Sequence, residues 1–572
     1  MLGDRWITDR VPTERFAYYT RANAGEVLAD PVSPLGWTFC WESGVVLGCR
    51  DGFVSFGVFD ADEYGEPPET FGLFGGYFYN SLTQARLMGV RMPGASAEAI
   101  DAAYFDEHPD VPPYVEEDWH ESDAHAAKLA ETMAYVMSGV AHLPVEEQKL
   151  EARADRESRP DLAALTDAEL IERARAVQPH FVSFFEQHVW VSLGASLGPG
   201  AIQAITAELG RPDDAVALIT GIGDVDSADI ARDLWELSRV VRESRRLTEA
   251  FDAGLDGLTE RIGGTQLESA LEQFVYTHGS RGPNEWDPAA DTYETNPRLT
   301  LAQLDVMRRQ DDAASPIAAL ERGAAERTRL AAEIEGSLAG DDEALAGFQG
   351  AMASAAVWLA ARERCKNNNI RAIHEARMAF DELGRRKAES GQLADAKQIY
   401  MLLESELDDF VSDPGAFTAT LAERQADFAE LADLEPPFIV NTTCPPLSEW
   451  RHRADHKTDV VATGDALDGV ACSPGTVSGV ARVVLDASDP SALEPGDILV
   501  TRNTDPSWTP LFLAAGAVVT NVGAVNSHAS IVSRELGIPC VASVADATER
   551  IPDGATLTVD GSAGIVRIDA LP

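Results

Sequence analysis

The chain has 572 residues, 45% of them hydrophobic, and sets 94 acidic against 46 basic side chains for a formal charge of −48. That length exceeds one ordinary core and predicts on the order of two to four domains. The acidic balance argues against nucleic acid and anionic membranes as partners, because neutralising their phosphates takes a basic patch that this chain scarcely has. It leaves room for a local basic pocket for phosphate. No stretch reads as a membrane span of about 20 apolar residues. The start, MLGDRWITDRVPTERF, lacks the basic segment and apolar core of a secretion signal, so a cytoplasmic protein is expected. Cys40, Cys49, Cys365, Cys444, Cys472 and Cys540 include no C-x-x-C pair. They predict reduced, structural thiols rather than a disulfide framework or a zinc site, and no metal is assigned.

Residues 1–95 are rich in Gly, Pro and aromatics, and 44–47 and 52–59 read as short strands or irregular layers. Within YYTRANAGEVLADPVSPLGW (18–37), Gly25, Pro31 and Pro34 predict that no regular helix continues beyond Leu28. By itself this is a proline-stiffened cap. Tyr18, Tyr19, Trp37, Phe71, Phe74 and Tyr77 supply aromatic surface that suits a ring and equally suits a core. Over 96–434 the composition turns to Ala, Leu, Glu and Arg with helix-period apolar positions, as at 161–188, 224–262, 299–338 and 343–386. Thr166 before Asp167, Ala168 and Glu169 reads as a capping box. This part is expected to be a helical domain with antiparallel packing.

Two islands interrupt it. YTHGSRGPNEWDPAADTYETNP (276–297) breaks the periodicity and collects His278, Arg281, Glu285 and Asp287, either a charged surface turn or a functional loop on a rigid scaffold. ARERCKNNNIRAIHEARMAFDELGRR (361–386) is the main cluster of positive charge. Arg362 and Lys366 stand four apart, on one face if the helix is continuous, where they could flank a phosphoryl group. The commoner fate of such a run is a solvated face paired with Glu363, Glu375 and Asp381. Prolines and loss of periodicity mark 435–467 as a hinge or linker. From 468 to 572 strand signals dominate: a turn and strand in CSPGTVSGVARVVL, a strand in GDILVT, another in AGAVVT, and a closing hairpin in ATLTVDGSAGIVRI near Asp560 and Gly561.

The most informative stretch is NVGAVNSHASIVSRELGIPCVAS (521–543). Ala529, Ile531, Val532 and Leu536 give a short helix one apolar face, and Ser527 is placed to cap it. His528 then falls in the first turn, where backbone N–H groups and the helix dipole favour negative charge. On local pattern alone the ordinary partly buried histidine is the commoner reading. SHASIVSRELGIPCV, however, resembles the phosphohistidine motif of the swivelling domain shared by phosphoenolpyruvate synthase, pyruvate phosphate dikinase and rifampicin phosphotransferase. Asn526 stands where that motif has threonine, and Ser530 where it has alanine. The likeness to this PEP-utilising mobile domain runs along 468–572, and TRNTDPSWTPLF (501–512) resembles its Thr-x-x-Thr-x-Pro element. By analogy Thr504, Asp505 and Pro506 lie close to the histidine.

The same resemblance extends upstream. Asn23, Glu26 and Pro34, with Tyr77 and Asn80 in FGLFGGYFYN, are similar to the acceptor-binding region of rifampicin phosphotransferase. HGSRGPNEWD resembles the Gly-rich, Arg- and Glu-bearing loop of dikinase-like phosphotransferases and implies a place at an acceptor or interdomain site. Arg362 and Lys366 match an Arg and a Lys at the same spacing in that family, whereas KNNNI departs from its more apolar continuation. The fold implied is multidomain α + α/β: an irregular N-terminal part of the acceptor-binding domain (1–95), its helical part (96–434), a hinge (435–467) and a β-rich α/β swivelling phosphohistidine domain (468–572).

The sequence contains no Gly-x-x-x-x-Gly-Lys-Ser/Thr loop, no stretch resembling an ATP-grasp nucleotide module, and no room after the swivelling domain for a pyruvate barrel. The expectation is a two-component phosphotransferase. A separate ATP-grasp subunit, using ATP and Mg2+, would phosphorylate His528, and the group would pass to a hydroxyl of a small organic acceptor, with Arg362 and Lys366 neutralising charge. Relatives resembling phenylphosphate synthase make a phenolic acceptor the first choice and a rifamycin-type antibiotic the second. Arg281, Glu285, His278, His374, Asn23, Glu26 and Thr504 are candidates for the acceptor and phosphate site; the general base could be His278, Glu285 or His374. Two alternatives from other classes are a phosphocarrier that relays phosphate to another protein and a scaffold with a vestigial histidine.

Overall fold

A computed structural model describes residues 3–105, 111–120, 123–223, 226–312, 315–455, 460–485, 493–504, 508–523 and 527–572. Asp505, Pro506 and Asn526 lie outside the described residues. The chain forms two compact units. One comprises Met1–Ser196, Trp286–Ala290 and Arg364–His456, the other Leu197–Glu285, Asp291–Glu363 and Lys457–Pro572. The architecture is largely helical and ends in a β-rich α/β domain.

In the first unit a small antiparallel sheet is built from β1 (Tyr18–Thr20), β2 (Phe71–Phe74), β3 (Tyr77–Ser81) and β4 (Ile439–Asn441), in the order β2-β3-β1-β4. Gly75 and Gly76, at φ 55° and 73°, make the two-residue turn between β2 and β3, a backbone that side chains with a Cβ disfavour. Helix Ala22–Val27 stops before Leu28, three residues ahead of Pro31. The strands expected at 44–47 and 52–59 are instead helical: a π-helix, Gly36–Val45, runs into the α-helix Val46–Phe56. Gly44, Gly48 and Gly52 form a stripe at i, i+4, i+8 facing helix Gln178–Gly194. A Cβ on Gly44 would lie 2.3 Å from Phe181 Cβ, and one on Gly48 would lie 2.3 Å from the carbonyl oxygen of Val182. Gly48→Val is therefore expected to lower stability by about 3 kcal/mol through overpacking, read as a drop in urea midpoint with unchanged m-value.

Tyr19, Trp37, Phe71, Phe74 and Tyr77 are all buried, with Tyr18 half-buried. Trp37, Trp41, Phe71, Phe78, Phe181, Phe185 and Trp286 share one core cluster. The aromatic density of the N-terminal segment is thus core packing. The Thr166 capping box is present, with Glu169 N donating to Thr166 Oγ1 at 3.3 Å and Thr166 N donating to Glu169 Oε2 at 2.7 Å.

In the second unit, helices Asp226–Glu243, Arg245–Asp252, Gln266–His278 and Pro297–Met307 enclose Leu234, Leu247, Phe274 and Leu304. Helix Asp342–Glu389 is 48 residues long and passes from this unit into the first without a break. One window of it is long and apolar enough to cross a membrane by length and composition, contrary to the sequence expectation. Its Phe348, Trp358, Ile370, Ile373 and Phe380 are buried in the protein, so part of the apolar run serves as core.

The C-terminal part of the unit holds β5 (Ala466–Asp468), β6 (Val470–Ser473), β7 (Thr476–Val483), β8 (Ile498–Thr501), β9 (Ala517–Thr520), β10 (Cys540–Ala542), β11 (Thr556–Asp560) and β12 (Ile565–Ala570). They make one eight-stranded sheet ordered β5-β12-β11-β7-β8-β9-β10-β6. β7, β8, β9 and β10 run parallel, and the flanking pairs are antiparallel. Alternate residues of the central strands separate to two faces. Ile498, Val500, Ala517 and Val519 enter one core cluster, while Leu499, Val518, Cys540 and Ala542 enter another, with Ala529 and Val532 of the His528 helix. Burial on both faces is why these strands read as unbroken apolar runs.

Candidate histidine site

The strand β9 delivers the chain to the site, and the helix His528–Leu536 carries it. Ser527 has the extended backbone of an N-cap, and its Oγ accepts from Ser530 N at 3.4 Å. Ser530, the residue that departs from the family's alanine, is fully buried and places its Oγ 2.9 Å from that of Ser527. Gly537 closes the helix at φ 68°, Ile538 N returns to Ser533 O at 2.8 Å, and Pro539 leads into β10. The Gly-Ile-Pro of the motif is thus a helix stop.

His528 is half-buried at the first helical position. Thr504 Oγ1 lies 2.9 Å from His528 Nδ1, and the Phe512 ring meets the imidazole edge-on at 5.9 Å. These two contacts fix the rotation and tilt of the ring. The hydroxyl accepts from a protonated Nδ1 or donates to a bare one, according to the tautomer.

Further along the same helix, Arg534 Nε donates to the carbonyl of Cys472 in β6 at 2.7 Å. Burial holds the Arg534 guanidinium below its ordinary pKa; Cys472, Cys540 and Glu535 oppose that shift, and the charge of Arg362 adds to it. Cys472 and Cys540 face each other, and the hydrogen bond between them draws the Cys472 thiol down. Arg362 therefore lies within electrostatic reach of the histidine helix. Lys366 sits one turn on along the same continuous helix, in the stretch that belongs to the first unit.

The 276–297 island divides between the units. His278 Nε2 lies 2.8 Å from Asp233 Oδ2, and both belong to the second unit. Burial works against the Asp233 carboxylate, but the His278 hydrogen bond and charge and Arg232 outweigh it and hold its pKa down. Arg281 and Glu285, each 2% exposed, form a two-pronged pair, Nε to Oε2 at 2.7 Å and Nη2 to Oε1 at 3.1 Å. Burial disfavours the Arg281 cation, and Glu285 more than restores it, with Glu363 contributing. Asp287 goes elsewhere: in the first unit it accepts from Ser33 N at 2.7 Å and Ser33 Oγ at 2.6 Å.

Also in the first unit, the buried His374 Nδ1 lies 3.0 Å from Arg377 Nη1, and Arg377 donates to the carbonyls of Asp287 and Pro288 at 3.0 and 3.1 Å. The carboxylates expected to pair the positive run on this helix are engaged from elsewhere, Glu375 by Arg159 and Arg173 and Asp381 by Lys397, while Arg364 pairs with Glu146 and Arg385 and Arg386 pair with Glu382. Asn23 is exposed, Glu26 half-buried, and Asn80 Nδ2 donates to Asn23 Oδ1 at 3.4 Å. Tyr77 Oη reaches the carbonyls of Leu431 and Leu434, both at 3.0 Å. The second unit thus joins Arg281 with Glu285, and brings Thr504 and the charge of Arg362 to the histidine helix. Sequence reasoning missed the partners that orient these groups, Asp233, Phe512 and Ser33. It also missed Glu535, which stands in the quoted motif and was legible there as a charge on a mostly buried helix.

The mixed sheet presents a capped, threonine-held histidine at the start of a helix. Residues 493–564 match the PEP-utilising enzyme mobile domain, and residues 187–363 match the rifampicin phosphotransferase fourth domain. A rifampicin phosphotransferase of Streptomyces sviceus is 31% identical over 345 residues, 59% of this chain and 39% of that protein. An uncharacterised protein of Mycobacterium tuberculosis is 27% identical over 575 residues, 97% of this chain and 62% of that protein. A phosphoenolpyruvate synthase of Aeropyrum pernix is 39% identical over 148 residues, 24% of this chain and 18% of that enzyme. The chain spans less than two thirds of the length of each. These similarities relate stretches of the chain to rifampicin phosphotransferases and to the PEP-utilising enzyme mobile domain.

Proposed function

We propose that this chain is the phosphohistidine and acceptor-binding component of a cytoplasmic phosphotransferase. His528 receives a phosphoryl group from an ATP-grasp subunit that uses ATP and Mg2+, and passes it to a hydroxyl of a small organic acceptor, by first choice a phenol. The observation that carries this reading is the hold of Thr504 on His528 Nδ1 at the start of a helix in a matched mobile domain. Nε2, the ring nitrogen away from Thr504, is the one assigned to take the phosphoryl group. In the first step the N–P bond forms as the nucleotide's P–O bond breaks. In the second the acceptor oxygen bonds to phosphorus, the N–P bond breaks, and the hydroxyl proton passes to a base. The Arg362 and Lys366 cations would offset charge on the phosphoryl oxygens in flight. Among the candidate bases, His278 is held by the Asp233 carboxylate at Nε2, whereas both Glu285 oxygens face Arg281.

A rifamycin acceptor is the second reading, favoured by the match of residues 187–363 to the rifampicin phosphotransferase fourth domain. The test is to incubate the protein with an ATP-grasp partner, ATP and Mg2+, map acid-labile phosphate by mass spectrometry, then add phenols and rifamycins separately. Phosphate on the His528 peptide that moves to a phenol is expected. Transfer to rifamycins alone selects the second reading. Phosphate that reaches no small molecule but moves to a protein makes the chain a phosphocarrier, and no phosphate at all sinks the proposal.

A further inference from the structure

Behind His528 the helix His528–Leu536 packs against helix Pro316–Ser337 of the same unit. At the contact, Gly221 N donates to Glu535 Oε1 at 3.2 Å. Gly221 has φ 61°, and a Cβ there would stand 2.4 Å from Ala324 N, so only glycine lets this turn lie flush on the helix Pro316–Ser337. The second carboxylate oxygen, Glu535 Oε2, is buried with no hydrogen-bond partner among the described residues. A buried carboxylate this poorly satisfied is costly for stability alone. Such a cost is commonly retained where a contact must form and release.

We propose that Glu535 is the latch that docks the histidine-bearing helix on the Gly221 turn, holding the His528 domain at the helical layer between transfers. The proposal rests on the reading of His528 as a phosphoryl carrier. Its partner surface is the turn at Gly221 together with the flank of helix Pro316–Ser337. The charged groups facing the carboxylate are Arg327 on that helix, Arg534 on its own helix, and Glu363 on the helix Asp342–Glu389. Burial is the largest influence and raises the Glu535 pKa; the Gly221 N–H, Arg327 and Arg534 oppose it, and Glu363 reinforces it. The docked state thus holds the Glu535 proton more tightly than a released one would. Docking is then stronger below the raised value and weakens as pH rises through it.

The experiment is hydrogen exchange by mass spectrometry on the full chain, following the peptide over 216–223, with the 556–570 hairpin as an internal report that the histidine domain is folded. Glu535→Ala and Glu535→Lys are expected to speed exchange over 216–223 by about tenfold and to leave the hairpin protected. Glu535→Gln keeps an acceptor for Gly221 N–H without the charge, so it should protect 216–223 as well as wild type does and remove the pH dependence. Unchanged protection in Glu535→Ala, or equal loss in Gln and Lys variants, overturns the latch. Acid-labile phosphate on the same samples keeps the two ideas apart. Its absence with a working latch defeats only the phosphoryl reading, and its presence with 216–223 insensitive to Glu535 defeats only the latch.

Discussion

Alanine at position 528 is expected to abolish acid-labile phosphorylation and transfer to any acceptor while the protein stays folded. His528 is half-buried at a helix start whose cap, Ser527, does not depend on the imidazole. Its removal loses, among other contacts, the hydrogen bond to Thr504 and the edge of the Phe512 ring, and a lost hydrogen bond costs about 1 kcal/mol. The chemical loss is of another order, because without a nucleophile the two-step route disappears and rates fall by at least about a thousandfold. Thr504→Val gives the graded companion: the nucleophile remains, but the ring loses its hydroxyl partner, and transfer should fall about 10- to 100-fold. Phosphate release kinetics on both variants, with circular dichroism to verify folding, are the measurement. Retained phosphate in the alanine variant would move the reactive group elsewhere in the chain.

Glu285→Ala is expected to cost about 3–5 kcal/mol of stability, since it strands the Arg281 guanidinium in a site from which both residues exclude water. Replacing the pair together, Arg281→Met with Glu285→Leu, should recover most of that loss, because the desolvation cost leaves with the charges. Urea unfolding of the two single variants and the double variant closes the cycle. A single-variant cost under about 1 kcal/mol would mean that solvent reaches the pair and screens it. If Glu285 is also the base that deprotonates the acceptor, the alanine variant loses transfer even where it remains folded; a structural role predicts that activity follows the folded fraction.

Local features of this chain were readable from sequence because local physics determines them. The Thr166 box, the Ser527 cap and the Gly-Ile-Pro stop each depend on a few consecutive residues. The apolar runs of β8 and β9 announced strands buried on both faces. Long-range partners carry no such signature. Asp287 reads as one member of an acidic loop, yet its hydrogen bonds go to Ser33, 254 residues away. His278 finds Asp233 at a separation of 45. The error over 44–47 and 52–59 has the same origin: these segments read as short strands until helix Gln178–Gly194 is laid against Gly44, Gly48 and Gly52.

The edges of the eight-stranded sheet bear on solubility. Its outermost strands are β5, with three residues, and β6, with four, joined through Gly469. Ala466 and Asp468 on β5 are exposed, and the latter puts a carboxylate on the open rim. Strands this short offer a neighbouring molecule few backbone groups to pair with, and a negative charge repels a second copy of the same rim. Under the proposed carrier role, such blunt margins would limit pairing with other copies whenever the domain leaves its docking surface. Lengthening the rim, or replacing Asp468 by valine, would favour edge-to-edge aggregation.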